Sequence, residues 1–333
     1  MGMQIQFKKN ILLTGAGFTA NFGGLLAREM WSKIFNSPKL DSLSQIKKMM
    51  RKDFNFENVY SAVLRDNNYI NEFQQIIIDC YVDMDSTLKN YTFTVRDPYG
   101  VNWYGVRKLI SLFAGTGQEI GACFTLNQDL FLERKSKHKP LGLQERLSSD
   151  TYRAVLPDQK YIDDFKERHL SSLGNFQYIK LHGSYGWLTS YFFSKYGEDH
   201  RMVLGINKYE EIINEPLLKW YFELFEQAIC REGVKLLIIG YGFRDEHINK
   251  CLVQAISGFG AKIYIISPED SETLRDRLIG KPECSSQLWK PEDEGSQIWN
   301  AIAGYFPYEL KTIFPSDQSE THIKKDIFKI FNE

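Results

Sequence analysis

The chain has 333 residues, of which 43% are hydrophobic, and a formal net charge of −1. That length and apolar content supply a sizeable core and exclude global disorder, and near neutrality removes the electrostatic case for nucleic acid or a membrane surface as the main partner. Its five cysteines are scattered, without a Cys-x-x-Cys pair, which argues against a disulfide framework or a zinc ribbon and suits a reducing cytoplasm.

In chain order, the start from Met1 to Asn10 has no apolar h-region, and no later run reaches the ~18 apolar residues of a membrane helix. Met1-Gly2 hints at myristoylation, but Gln6 stands where that motif wants Ser or Thr, so an added start before Met3 is the plainer reading. Residues 8–35 read as strand, glycine turn and helix, the helix burying a stripe of Leu26, Met30 and Ile34. Residues 42–118 read as almost wholly helical, an insertion between the first two strands that forms a lid or small domain.

Residues 130–175 are polar and predict loops and short helices, and the basic run from Arg134 to Lys139 reads as a solvated loop. Helices are predicted from near Pro216, after Asp245 and over residues 294–313, the last carrying Ile298, Ile302, Tyr305 and Phe306. The end, from Pro315, predicts an amphipathic docking helix or the start of a further domain.

Short apolar runs at Ile11–Leu13, Ala122–Phe124, Tyr178–Leu181, Leu236–Ile239 and Ile263–Ile266 read as buried parallel strands. The expected fold is therefore α/β: a Rossmann-like parallel sheet with helices on both faces and a helical insertion. The sheet domain is expected over residues 1–36 and 119–314, the insertion over 37–118 and a tail over 315–333. Ligands of such sheets sit beyond the carboxyl ends of the strands, so the clusters that follow the runs should meet at one edge.

Gly15-Ala16-Gly17-Phe18-Thr19-Ala20 fits a G-x-G-x-x-A dinucleotide turn, whose glycines allow close backbone approach to a pyrophosphate. The second strand that should end in an acid about 20 residues on is missing, which disfavours a hydride-transferring dehydrogenase. Asn127 and Asp129 either cap the next turn or offer a carboxamide and a carboxylate to a ligand, and by itself capping is the commoner job.

His182 stands at a strand end as a backbone-bonded histidine or a general base, whereas the other five histidines, His247 among them, read as surface residues. Ser184 fails the G-x-S-x-G test. Asp245 is a good helix cap, and the glycines of Gly240-Tyr241-Gly242 offer amides to a phosphate or ribose. No metal site has acceptable spacing, since Asp245, Glu246 and His247 are consecutive.

With these motifs in this order, the chain resembles the sirtuin superfamily. That family carries a Gly-Ala-Gly-x-Ser/Thr turn, a Thr-Gln-Asn-x-Asp segment, a His-Gly pair and a late glycine-rich turn. Here they stand as Gly15-Ala16-Gly17-Phe18-Thr19, Thr125-Leu126-Asn127-Gln128-Asp129, His182-Gly183 and Gly240-Tyr241-Gly242. The stretch from Gly240 to Asn249 looks like the bacterial sirtuin-like branch of antiphage defence. Two departures matter: Leu126 replaces the Gln, and only Cys230 lies where deacylases carry a four-cysteine zinc module.

The resemblance implies NAD as substrate and, with these departures, an NAD⁺ glycohydrolase without a metal. It implies that Gly15, Ala16, Gly17 and Thr19 meet the pyrophosphate side, that Asn127 positions the ribose or water, and that Asp129 contacts the nicotinamide side. His182 would be the general base, and Gly240, Gly242 and Ser267 would flank the adenosine end. It further implies restraint of the activity by a homo-oligomer or by a partner ATPase or sensor chain, because the sequence holds no P-loop. The alternatives are a module that senses NAD or ADP-ribose without turnover, and a zinc-free deacylase or ADP-ribosyltransferase.

Overall fold

A computed structural model describes residues 5–66, 69–90, 93, 99–136, 138–143, 154–170, 173–188, 200–280 and 293–332. The Met1-Gly2 start, Lys137 and Cys284 lie outside the described residues. The strands are β1 Phe7–Thr14, β2 Ile120–Thr125, β3 Ala154–Val155, β4 Phe176–Lys180, β5 Gly183–Leu188, β6 His200–Met202, β7 Lys235–Ile239, β8 Lys262–Ile266 and β9 Ile302–Phe306.

Six of them form one sheet in the order β4-β2-β1-β7-β8-β9, every pair parallel, with Leu12 opposite Cys123 on one side and Leu237 on the other. All five apolar runs of the sequence lie in it. Their side chains alternate between layers: Leu12 joins one apolar cluster, Ile11 and Leu13 the other. Both faces are therefore covered, as an all-parallel sheet requires, and the Rossmann-like α/β expectation holds. Sheet order reverses between β1 and β7, the topological switch point of such a fold.

One layer is built by the segment between β1 and β2, whose helices Ser44–Met50, Phe56–Asp66, Ile70–Asn90 and Trp103–Ser111 share a core with Leu12 and Cys123. The opposite layer contains helices Pro216–Ile229 and Glu246–Phe259, with Phe225 edge-on to Phe124 at 5.0 Å. A small sheet, β3-β5-β6, leaves the end of β4. The last helix, His322–Asn332, docks on the chain's own sheet: it buries Ile323, Ile327 and Phe331, and Asn10 Nδ2 donates to the Phe331 carbonyl at 2.7 Å.

Two expectations are corrected. The helix predicted over residues 294–313 is instead two short helices, Glu294–Asn300 and Leu310–Ile313, with Ile302–Phe306 between them as β9. Ile298, Ile302 and Tyr305 do fall on a helical stripe, but the open edge of β8 offers a full ladder, and Gly304 lets the Tyr264 ring lie against the strand. A Cβ there would come within 2.7 Å of that ring. The first helix is also broken, into Ala16–Ala20 and Ala27–Phe35, with Gly23 at φ 96° between them. Leu26 consequently caps the second piece and is exposed while Met30 and Ile34 are buried.

Among the described residues, no helix is long and apolar enough to cross a membrane.

Candidate active site

Because β1 and β7 are neighbours in register, the turns that follow them collide unless both are made of glycine. The Gly15 amide donates to the Ile239 carbonyl at 3.0 Å and the Gly17 amide to the Gly240 carbonyl at 2.9 Å. A Cβ on Gly17 would lie 2.7 Å from Gly240 Cα, and one on Gly240 would lie 2.2 Å from the Phe18 nitrogen, at a φ of 69° that already favours glycine. Turn-on-turn packing thus supplies a reason for all three glycines that the sequence does not reveal. It also commits the Gly15 and Gly17 amides to protein carbonyls.

The β2 terminus lies beside the first turn. Thr19 Oγ1 donates to Asp129 Oδ2 at 3.0 Å, and Asn127 Nδ2 donates to Thr19 Oγ1 at 3.3 Å. Asp129 also accepts the Phe131 amide at 3.0 Å, so it caps the turn and faces the cleft at once. Burial pushes its carboxyl above the usual range against the pull of the Lys180 ammonium. Leu126 packs with the apolar cluster on the second sheet face. Gln128 donates from Nε2 to the Val203 carbonyl at 2.7 Å, while its buried Oε1 has no hydrogen-bond partner among the described residues.

Below this floor, Lys180 is fully buried against Glu133 at 2.8 Å and also holds the Asp129 carbonyl. Tyr178 donates its hydroxyl to Glu133 Oε2 at 3.2 Å.

His182 follows β4, only 3% exposed, and its Nε2 lies 3.0 Å from Nε2 of His247. The expectation that His247 is a surface residue is wrong. It sits on the buried stripe His247, Ile248, Cys251, Leu252 and Ala255 of its helix, at 9% exposure. That stripe was the available signal, since His247 precedes Cys251 by one turn. Burial lowers both imidazoles, to about 3 for His182 and about 4 for His247, against the opposing pull of Asp245. Both rings are therefore neutral at pH 7.

Asp245 occupies the cap position of that helix, but its side chain makes no cap bond and accepts instead from Lys208 Nζ at 2.7 Å. Burial alone would push its carboxyl up, yet His182 and Lys208 outweigh it and hold it at about 2. Lys208 also pairs with Glu57 at 2.8 Å, on helix Phe56–Asp66. Neither Lys208 nor Glu57 was singled out from the sequence, and nothing in their local pattern marks them.

The two glycine turns, Thr19, Asn127, Asp129, His182, His247, Asp245, Lys208 and Glu57 line one cleft of about 1430 Å³ at the carboxyl ends of the strands, as do Ala16, Gly242 and Ser267. Every site residue selected from the sequence is thus on its wall. The inserted helices contribute Phe56, Glu57, Tyr81 and Met84 to the facing wall. At the β8 end, Glu269 forms a two-pronged pair with Arg277 at 2.6 and 2.5 Å. Among the described residues, no group of three or more His, Cys, Asp or Glu side chains could hold a metal ion.

A family model for the SIR2-like domain matches residues 121–288. The chain belongs to the SIR2-like family. No curated protein matches it. SIR2-like domains are often NAD-dependent enzymes, and membership implies binding or use of NAD. The SIR2-like match takes in Asn127, Asp129, His182 and the turn after β7, whereas the Gly15–Gly17 turn and the inserted helices precede it.

Proposed function

We propose that this SIR2-like chain is an NAD⁺ glycohydrolase that breaks the nicotinamide–ribose bond to give nicotinamide and ADP-ribose. The observation that carries the reading is the convergence of His182, Asn127 and Asp129 with two glycine turns on one cleft at the β1/β7 switch point. The cleft exceeds the volume of common small-molecule sites, as a dinucleotide requires.

Nicotinamide departs as a neutral molecule and leaves an oxocarbenium-like ribosyl centre that water captures, a likeness of chemistry to glycoside hydrolysis. Asn127 positions the ribose or the attacking water, its carboxamide anchored through Thr19. Asp129 contacts the nicotinamide side. His182, neutral at pH 7, takes the proton from the water. Ala16 and Thr19 meet the pyrophosphate end, Gly15 and Gly17 beside them leaving room for its approach rather than offering their amides, and Gly240, Gly242 and Ser267 flank the adenosine.

The biological role that fits such a reaction is NAD depletion in antiphage defence. It would be restrained by self-assembly or by a partner ATPase or sensor chain, with the inserted helices and the last helix as contact surfaces. A sensor that binds NAD or ADP-ribose without turnover is the competing reading, and Leu126 in the family's Gln position favours it.

The test is NAD⁺ consumption by the purified chain beside His182→Ala and Asn127→Ala. Nicotinamide and free ADP-ribose should form, with turnover reduced roughly 10²–10⁴-fold in folded His182→Ala. Calorimetric binding of NAD without turnover would establish the sensor instead, and an undiminished His182→Ala would remove the histidine from the reaction.

A further inference from the structure

We propose that His182 and His247 act as one proton-accepting pair, in which His247 is a positioning residue that fixes the tautomer of His182. The proposal rests on the hydrolase reading for its reaction step and on geometry alone for the pair. The two Nε2 atoms are 3.0 Å apart, and this is the one hydrogen bond either ring makes among the described residues.

A neutral imidazole has one N–H and one lone pair. An Nε2-to-Nε2 bond between two neutral rings therefore forces opposite tautomers: one ring is protonated on Nε2, the other on Nδ1. The bond leaves no third choice, so the tautomer of His182 cannot be specified without that of His247. The His247 ring is itself held in place. Phe222 and Tyr209 pack beside it with centroids at 5.9 and 6.5 Å, and its backbone belongs to a helix of 14 residues.

Asp245 offsets part of the burial that disfavours an added proton on the pair. Asp245 opens the helix that carries His247, Glu246 lies next to it, and Lys208 faces the pair from the segment after β6. Lys208 is already matched by both Asp245 and Glu57, at 2.7 and 2.8 Å.

In the step proposed, the water oxygen bonds to the ribose carbon as the carbon–nitrogen bond breaks, and that electron pair leaves on nicotinamide. The water proton passes to the ring nitrogen of His182 that does not face His247, and the shared Nε2 proton moves to His247. The pair carries one positive charge beside Asp245 and later releases one proton to solvent.

The experiment uses the full chain labelled with ¹⁵N at its imidazoles, as wild type, His247→Gln and His247→Ala. Glutamine keeps a hydrogen-bonding group at this position but cannot carry the proton, and it guards against a folding failure of the alanine variant. Without NAD, the long-range ¹H–¹⁵N spectrum should give His182 and His247 opposite, fixed tautomers. In His247→Gln the His182 tautomer should remain fixed, and in His247→Ala it should become mixed.

In NAD⁺ hydrolysis, His247→Gln should lower kcat about 10²-fold, the low end of what a general base supplies, with KM changed less than about 2-fold. The acid limb of its kcat profile should move as well. Two rings of like or averaged tautomer in the wild type overturn the pair. Wild-type kcat and pH profile in His247→Gln overturn its role in the reaction. A wild type inert toward NAD⁺ in its dilute and its self-assembled form alike refutes the hydrolase reading, while the spectra still decide the pairing.

Discussion

Lys180 under the floor of the cleft and Lys208 on its wall each sit between acidic or carbonyl oxygens, yet they differ in wetness and in what they join. Lys180 and Glu133 have side chains only 0% and 2% exposed, and the polar partners of Lys180, the Asp129 carbonyl and Glu133, both come from the segment that follows β2. Lys208 and Asp245 are each 13% exposed and Glu57 is 27%, and the three come from separate stretches of the chain. The first cluster has no water to fall back on if a partner is lost, so it stabilises the floor under Asp129. The second keeps contact with solvent and ties the inserted helices to the histidine pair. One lysine is spent on rigidity, the other on bringing the two walls of the site together.

The sharpest way to break the first cluster is Lys180→Met. It strands Glu133 in the dry interior and should lower stability at neutral pH by about 3–5 kcal/mol, read by denaturant unfolding. Adding Glu133→Gln should recover most of the loss, because the uncompensated carboxylate disappears. Burial raises the Glu133 carboxyl already, so the defect should shrink on acidification as that group takes a proton. If single and double variants are equally unstable, packing of the lysine stem rather than charge holds the floor.

Acid separates the histidine pair from the carboxyls of the floor by sign. Unfolded histidines titrate near 6.5, whereas the buried pair titrates at about 3 and about 4, so in that window the unfolded chain binds more protons. The stability the histidines contribute is present above pH 6.5 and is lost as pH falls through those values. The slope approaches about 1.4 kcal/mol per pH unit for each ring. Asp129 and Glu133 act in the opposite direction: their folded values are raised by burial, so their contribution is present at low pH and is lost as pH rises. Melting temperatures from pH 7 to 4 should therefore fall for the wild type and fall less steeply for His247→Gln. Equal slopes would mean that the rings take up protons in the folded state.

These contrasts track what was legible in the chain. The strands of the sheet announce themselves because burial on both faces leaves each an unbroken apolar run, and Gly15, Asn127, His182, Gly240 and Ser267 stand within two residues of the strand ends. β9 escaped because an edge strand is half-buried, and its Ile302 and Tyr305 also suit a helix. His247 escaped because its partner lies on another element: the stripe it shares with Ile248, Cys251, Leu252 and Ala255 marks it as inward-facing, but no local pattern places a second imidazole beside it. Glu57, Lys208 and Asp245 meet only when the inserted helices close over the sheet, so their pairing is a property of the packing. Even the Gly15–Gly17 turn was half-read: its resemblance to a phosphate-binding turn was visible, its collision with Gly240 was not.

Lys208→Met tests the tie between the two walls, and its effect should be smaller. Water reaches both stranded carboxylates, so the cost should be about 1–2 kcal/mol, below that of a sealed pair. The loss should also be local. Amide exchange should quicken over helix Phe56–Asp66, which loses the Glu57 anchor, and stay slow over β1, β2 and β7. NAD⁺ turnover should suffer through KM more than kcat if the helix only closes the cleft. A fall in kcat with an altered acid limb would show instead that the Lys208 charge sets the field in which the histidines work. Uniform acceleration of exchange across the sheet would contradict the comparison itself, because it would make Lys208, like Lys180, a support of the whole fold.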